Sequence, residues 1–203
     1  MTVALRRSWS KDLDARTLYE LLKLRVEVFV VEQATPYPEL DGRDLLAETR
    51  HFWLERPDGE VISTLRLMEE HPGGHKAFRI GRVCTKRSAR GRGHADRLLQ
   101  AALAEVGDCP CHINAQTYLA EMYSRHGFVR DGDEFLDDGI PHVPMLKAGA
   151  HTEIGHPRGQ GVGRLPDRRA VPVQRQSAAH RRAQRQGVRP AAAGRSPDGG
   201  APS

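Results

Sequence analysis

At 203 residues the chain is long enough for one or two domains, and its net charge of +5 is unevenly spread. Residues 1–148 carry 21 Lys and Arg against 23 Asp and Glu, a balance of −2, while residues 149–203 carry ten Arg against three acids, a balance of +7. The aromatic-bearing part is therefore mildly acidic, which argues against a polyanion-binding role for it. Near the N-terminus no apolar run exceeds Val28-Phe29-Val30-Val31, too short for a membrane span, and no secretory leader is read there. An odd set of three Cys (Cys84, Cys109, Cys111) points to free thiols and a cytoplasmic protein.

Residues 3–9 are predicted as the first strand. Asp14 is placed to cap a helix running to about Phe29, with Leu18, Leu21, Leu22, Arg25 and Phe29 on its buried face. An arginine on such a face needs an ion-pair or hydrogen-bond partner. The segment 32–38 breaks the periodicity and reads as an irregular loop, and Asp41-Gly42 marks a turn. Strands over 48–55 and 60–68 flank the hairpin signal Pro57-Asp58-Gly59. The turn 71–75 leads into a strand over 77–85. Ala95, Leu98, Leu99, Ala102, Leu103 and Val106 then fall on one stripe of a helix over 94–106, closed by Gly107. A strand over 111–116 follows. Next comes a short helix over 118–126 with Leu119, Met122 and Tyr123 inward, ended by Gly127. Two closing strands lie at 128–130 and 142–147.

Residues 149–203 hold no Phe, Trp, Tyr, Cys, Met or Lys and are expected to be disordered, because they offer too little apolar surface to offset their ordering entropy. One domain over 1–148 is therefore expected, followed by an Arg/Gly/Ala/Pro-rich tail. The tail's composition suits nucleic acid or an acidic membrane, although it lacks aromatics for base stacking. An arginine-only basic composition also fits a GC-rich reading frame not selected for folding.

Between the strand 77–85 and the helix 94–106 lies Arg90-Gly91-Arg92-Gly93-His94-Ala95. Two glycines in a strand-to-helix turn free backbone N–H groups to point into a concavity, and the helix adds the positive end of its dipole. Such a turn suits an anion, most often a phosphate. It is neither a P-loop, which needs Gly-Lys-Ser/Thr, nor the dinucleotide fingerprint, whose glycine spacing differs.

The turn and the order of elements resemble the GCN5-related N-acetyltransferase (GNAT) superfamily, whose signature Arg/Gln-x-x-Gly-x-Gly/Ala is matched by Arg90, Gly93 and Ala95. More narrowly, five segments resemble the ElaA-like branch: residues 24–33, Pro36-Tyr37, Asp41-Gly42, Gly81-Arg82-Val83 and Asp138-Gly139-Ile140-Pro141-His142. The resemblance runs from about residue 5 to residue 147. It implies an α/β fold of the mixed α+β kind: a mostly antiparallel twisted sheet with one splayed parallel pair, strands 77–85 and 111–116.

The same resemblance implies acetyl-coenzyme A as acetyl donor and no metal. The pyrophosphate would lie on the amides of Arg90, Gly91, Arg92, Gly93, His94 and Ala95, with Arg90 or Arg92 adding charge. The pantetheine arm would pair with backbone around Val83 and Thr85, as an added strand does, and Asn114 would bond that arm or orient a water. Tyr123 stands where many members place the proton donor to the departing thiolate. The acetyl group would pass directly to an amine of a small molecule or protein. Loop 31–44, turn 69–76 and hairpin 134–142 would shape the acceptor side. Candidates for the base are Glu32, Asp41, Glu69, His51 and His142. A monomer or homodimer is expected.

Other readings are weaker. Cys109-Pro110-Cys111-His112 has no second ligand pair for zinc, and Cys84 has no paired His motif for nucleophilic chemistry. Longer-chain acylation, as in acyl-homoserine lactone synthases, requires an S-adenosylmethionine site that is not evident. A nucleic-acid-associated protein acting through the Arg tail is the alternative of another class.

Overall fold

The structure, a computed structural model, describes residues 2–150. The expected disorder and nucleic-acid role of the tail fall on 149–203, and thus, apart from Gly149 and Ala150, outside the described residues. The chain opens with strand β1 (Ala4–Trp9) and helix α1 (Ala15–Arg25), which continues as a π-helix over Val26–Glu32. Strands β2 (Thr49–Glu55), β3 (Val61–Glu70) and β4 (Ala77–Thr85) follow. Then come helix α2 (His94–Val106), strand β5 (Cys111–Gln116) and the short helix α3 (Ala120–Ser124). Strands β6 (Val129–Arg130), β7 (Phe135–Asp137) and β8 (Ile140–Lys147) close the described chain. One sheet runs β1-β2-β3-β4-β5-β8-β6, with β7 paired to β8. Every pairing is antiparallel except β4 with β5, which is parallel. This is the mixed sheet expected from the sequence.

Alternation along the strands sends apolar side chains to both faces. On one face Phe52, Leu54, Ile80, Cys111, Ile113 and Val143 pack under α2 and α3, meeting Leu98, Leu99, Ala102 and Tyr123. On the other face Trp53, Val61 and Cys84 meet Leu21, Leu24 and Val28 of the first helix. The central strand β3 is buried over Val61–Met68, as a strand covered on both faces must be.

Asp14 caps α1 as its position predicts, accepting from the Thr17 N–H at 2.9 Å and the Thr17 hydroxyl at 2.6 Å. The buried face, however, is Leu21, Leu24, Arg25 and Val28, while Leu18, Leu22 and Phe29 are half-buried. Leu21, Leu24, Arg25 and Val28 keep ordinary helical spacing, so the inward face is a neighbouring stripe that shares Leu21 and Arg25 with the expected one. The wider π-helical turns begin only at Val26, and there Gln33 N–H reaches back to the Val28 carbonyl at 3.2 Å. β7 is the first arm of the expected hairpin 134–142, although it is not itself among the strands read from the sequence. Its three residues are mostly exposed and lack an apolar alternation, and pairing with β8 defines them.

Arg25 finds its partners in the loop after the π-helix. Only 1% exposed, it binds Glu39 through Nε at 2.5 Å and Asp44 through both terminal nitrogens at 2.5 and 3.1 Å. Arg66, buried on β3, holds Asp41 bidentately at 2.8 and 2.7 Å and reaches Asp44 at 3.0 Å. Arg82 of β4 lies against Glu39 and Asp41. Burial opposes ionisation of Asp41, but its hydrogen bonds from Arg66 and the charges of Arg66 and Arg82 hold its carboxyl well below the usual carboxylate range. Asp44 is lowered against the same burial by Arg25 and Arg66. Three guanidinium groups thus bind the loop 39–44 to α1 and the sheet.

Removing one partner strands a buried charge, so Arg25→Ala is expected to cost about 3–5 kcal/mol in urea unfolding. Because Asp41 and Asp44 titrate lower in the folded than in the unfolded chain, they add stability above the unfolded value of about 3.9. That contribution disappears as the pH falls through the folded values. Unfolding free energy is expected to drop below about pH 4, and Asp44→Asn to flatten the drop.

Candidate functional site

The sequence turn 90–95 lies at the C-terminal end of β4. Gly91 and Gly93 take φ of +73° and +70°, left-handed values that a Cβ resists, and α2 begins at His94 with no side-chain cap. The first backbone bond of the helix is Arg97 N–H to the Gly93 carbonyl at 3.0 Å, so the amides of His94, Ala95 and Asp96 have no intrahelical partner. His94 is held below the ordinary histidine value by burial and then by the charges of Arg92, Arg97 and Arg56. The turn is therefore a cradle of open N–H groups in a positive field. Arg90 is engaged elsewhere: Nε donates to the Thr85 carbonyl at 3.0 Å and the terminal nitrogens grip Glu32 at 2.6 and 2.9 Å. Its N–H bonds the Arg87 carbonyl at 3.4 Å, so neither its charge nor its amide is free for the task the sequence assigned to it, while Arg92 forms no ion pair among the described residues.

Beside the turn the sheet parts. β4 pairs with β5 only through Phe78↔Cys111 and Arg79↔His112, although β4 runs on to Thr85 and β5 to Gln116. Lys86 N–H bonds the Ile62 carbonyl of β3 at 2.8 Å, so alternation sends the N–H and C=O of Thr85 and of Val83 to the opposite side, into the gap. Opposite Leu65, β4 carries two residues, Arg82 and Val83, which is a bulge.

Across the gap, Asn114 is exposed on β5 between the buried Ile113 and Ala115. Gln116, on the same face as Asn114, joins Gln33 at the end of the π-helix through reciprocal amide bonds of 3.2 and 3.4 Å and accepts from the Tyr118 hydroxyl at 2.6 Å. Gln33, Gln116 and Tyr118 were not singled out from the sequence, since nothing local marks residues 83 positions apart as partners. Tyr123 is 4% exposed on α3, edge-on to Phe128 with centroids 6.1 Å apart. Burial, with smaller effects from Tyr118 and Cys84, pushes its phenol up and keeps it protonated. Burial also pushes the Cys84 thiol up to about 12, which disfavours a nucleophilic thiolate.

The base candidates separate. Glu32 is paired with Arg90, and Asp41 with Arg66 and Arg82. Glu69 is paired with Lys76 at the far end of β3. His51 is buried against the Asp44 carbonyl and is lowered by that burial. His142 stands opposite Gln116 in the β5–β8 register, with its ring stacked on Phe135 at 5.9 Å. The turn 69–76 does not line the gap. It precedes the paired end of β4, where Phe78 N–H bonds the Pro110 carbonyl at 2.8 Å, at the opposite end of the strand from the gap. Loop 31–44 reaches β5 through the Gln33–Gln116 bond, and His142 of the hairpin 134–142 lies on β8, paired to the edge of β5 away from the gap.

A parted parallel pair beside a glycine turn that opens a helix defines the acyl-CoA N-acyltransferase class of fold. A domain family described as "Acetyltransferase (GNAT) domain" matches residues 17–148, and the chain belongs to that family. UPF0039 protein Rv2851c of Mycobacterium tuberculosis is 81% identical over 150 residues, covering 74% of this chain and 96% of the relative. A crystal structure of an acyl-CoA N-acyltransferase from Pseudomonas aeruginosa superposes with a TM-score of 0.68 at 38% identity, over 72% of this chain and 100% of that one. That of Escherichia coli ElaA gives 0.67 at 30%, over 72% and 99%. Among the described residues no cluster of His, Cys, Asp and Glu is arranged to hold a metal ion, and no helix is long and apolar enough to cross a membrane.

Gly93→Ala forces a Cβ into the left-handed region. It is expected to cost about 1–2 kcal/mol of stability and to weaken binding of inorganic pyrophosphate, measured by calorimetric titration.

Proposed function

We propose that this protein is an acetyl-coenzyme A-dependent N-acetyltransferase that moves the acetyl group directly onto an amine of a small molecule or a protein, in the cytoplasm. One observation carries the reading: the unpaired edge of β4 leads, through the single 3-10 turn Arg87–Ala89, to the amide cradle before α2. A peptide-like arm ending in a pyrophosphate needs those two features in that order. The arm bonds the N–H and C=O groups of Val83 and the N–H of Thr85 as an extra strand, and the pyrophosphate meets the amides from Gly91 to Ala95. Asn114 faces the arm from β5. The domain that does this work is the segment 1–148.

The thioester supplies the electrophilic carbonyl, so the protein's part is orientation and proton movement. As the amine nitrogen bonds the carbonyl carbon and the carbon–sulfur bond breaks, the departing sulfur takes a proton from the Tyr123 hydroxyl. The proton lost by the amine goes to His142. Its Nδ1 lies 2.8 Å from the Ile140 carbonyl, which can only accept, so Nδ1 carries the hydrogen and Nε2 is left as the acceptor.

Tyr123→Phe is expected to cut turnover about 10²-fold or more while leaving acetyl-coenzyme A affinity unchanged; unchanged turnover would remove Tyr123 from the acid role. Acetyl-coenzyme A at about a hundred times its dissociation constant should stabilise the wild-type protein by about 2.7 kcal/mol, read as a rise in melting temperature. No rise at millimolar concentration would count against the enzyme reading. An amine panel with acetyl and longer acyl thioesters then fixes acceptor and chain length.

A further inference from the structure

Arg82 has φ of +54° inside a strand. A left-handed backbone crowds a Cβ against the next carbonyl, so the conformation persists only where the surroundings hold it. Glycine usually occupies such a bulge position, yet here Gly81 stands beside the bend and an arginine occupies it. What glycine lacks is the guanidinium, and that group is held on several sides. Nε lies 2.8 Å from Glu39 Oε2, although out of line for a hydrogen bond. A terminal nitrogen lies 3.3 Å from Asp41 Oδ2 and 3.4 Å from the Glu39 carbonyl. The guanidinium carbon sits 5.8 Å over the Tyr37 ring, and the Tyr37 hydroxyl donates to Glu39. Glu39 is in turn anchored to Arg25 on α1, and Asp41 to Arg66 on β3.

We propose that Arg82 is a positioning residue: its guanidinium, clamped by Glu39 and Asp41 over Tyr37, holds the β4 bulge in the shape that aims the backbone of Val83 into the gap. The clamp joins the loop 37–44, on the acceptor side, to the strand that receives the donor. Its kinetic consequence rests on the acetyltransferase reading; its structural consequence does not.

Three variants separate the possibilities. Arg82→Ala keeps the unfavourable φ and loses the clamp. Arg82→Gly adopts the same φ freely and also loses the clamp, and Arg82→Lys keeps a cation without the planar fork. Hydrogen exchange over residues 82–86, which contain the Lys86 amide bonded to β3, is expected to rise in Arg82→Ala. kcat is expected to fall by about tenfold to a hundredfold in Arg82→Ala, the range a small misplacement of reacting groups costs, and by less in Arg82→Gly. Arg82→Lys should recover part of the loss. Acetyl-coenzyme A affinity is expected to fall in Arg82→Ala, because the Val83 backbone bonds the arm, while affinity for inorganic pyrophosphate stays within about threefold of wild type, since the turn is untouched. Wild-type exchange in Arg82→Ala overturns the clamp. So does an equal kcat loss in the Ala and Gly variants, which would mean that the side chain meets the substrate instead of holding the backbone. If Arg82→Ala does not fold, exchange in Arg82→Gly against Arg82→Lys decides. If the wild-type protein neither binds acetyl-coenzyme A nor acetylates any amine, the acetyltransferase reading fails, and exchange alone decides the clamp.

Discussion

Backbone N–H and C=O groups in a sheet interior are obliged to find partners, and β4 stops finding them on one side after Arg79. A bulge at Arg82–Val83 lies just beyond the last residue of β4 that pairs with β5, and the opposite edge of β5 pairs with β8 along all six of its residues. The defect stays open because both faces are covered by helices, so the sheet survives it. α2 then begins at the same end of β4, so unpaired strand groups and unpaired helix amides lie next to one another. A ligand that is part peptide and part phosphate restores the hydrogen bonds of both.

The buried arginine–carboxylate network has a different value from its number of ion pairs. Such pairs roughly break even against a well-packed apolar core, since desolvation offsets their attraction. What they supply here is definition. Loop 39–44 offers little apolar surface to the interior, with Leu40, Leu45 and Leu46 all exposed, so packing alone would not fix its position. Planar guanidinium forks from Arg25, Arg66 and Arg82 fix it in direction as well as distance. The exposed Glu32–Arg90 pair is of another kind: solvent screens it, and an incoming anion can compete for Arg90 at small cost.

How much of this could be read in the chain depended on how local each signal was. Helix α2 and the turn before it were legible to the residue because glycines, stripe and stop signal all lie within 18 positions. Arg25 was legible as an oddity on an apolar face, but its partners were not, because Glu39, Asp44 and the neighbouring Arg66 come together only through the tertiary fold. The inward face of α1 is a neighbouring stripe to the one expected, because Leu18, Leu21, Leu22 and Leu24 lie around the helix and the sequence alone does not choose between adjacent stripes. The turn 69–76 was expected beside the acceptor from the family resemblance, whereas it sits at the start of the nine-residue β4 and the gap opens toward the other end. The Gln33–Gln116 bond and the bulge at Arg82, next to rather than at a glycine, left no trace in composition or period.

Gly149 lies so close to the α2–β5 connection that a Cβ there would overlap the Asp108 carbonyl oxygen, and Ala150 N–H bonds that same oxygen at 3.2 Å. The chain therefore leaves the domain at the C-terminal end of α2. A helix of 13 residues puts that exit about 20 Å from the amide cradle at its other end. A label or surface tether attached at residue 150 therefore starts well away from that cradle.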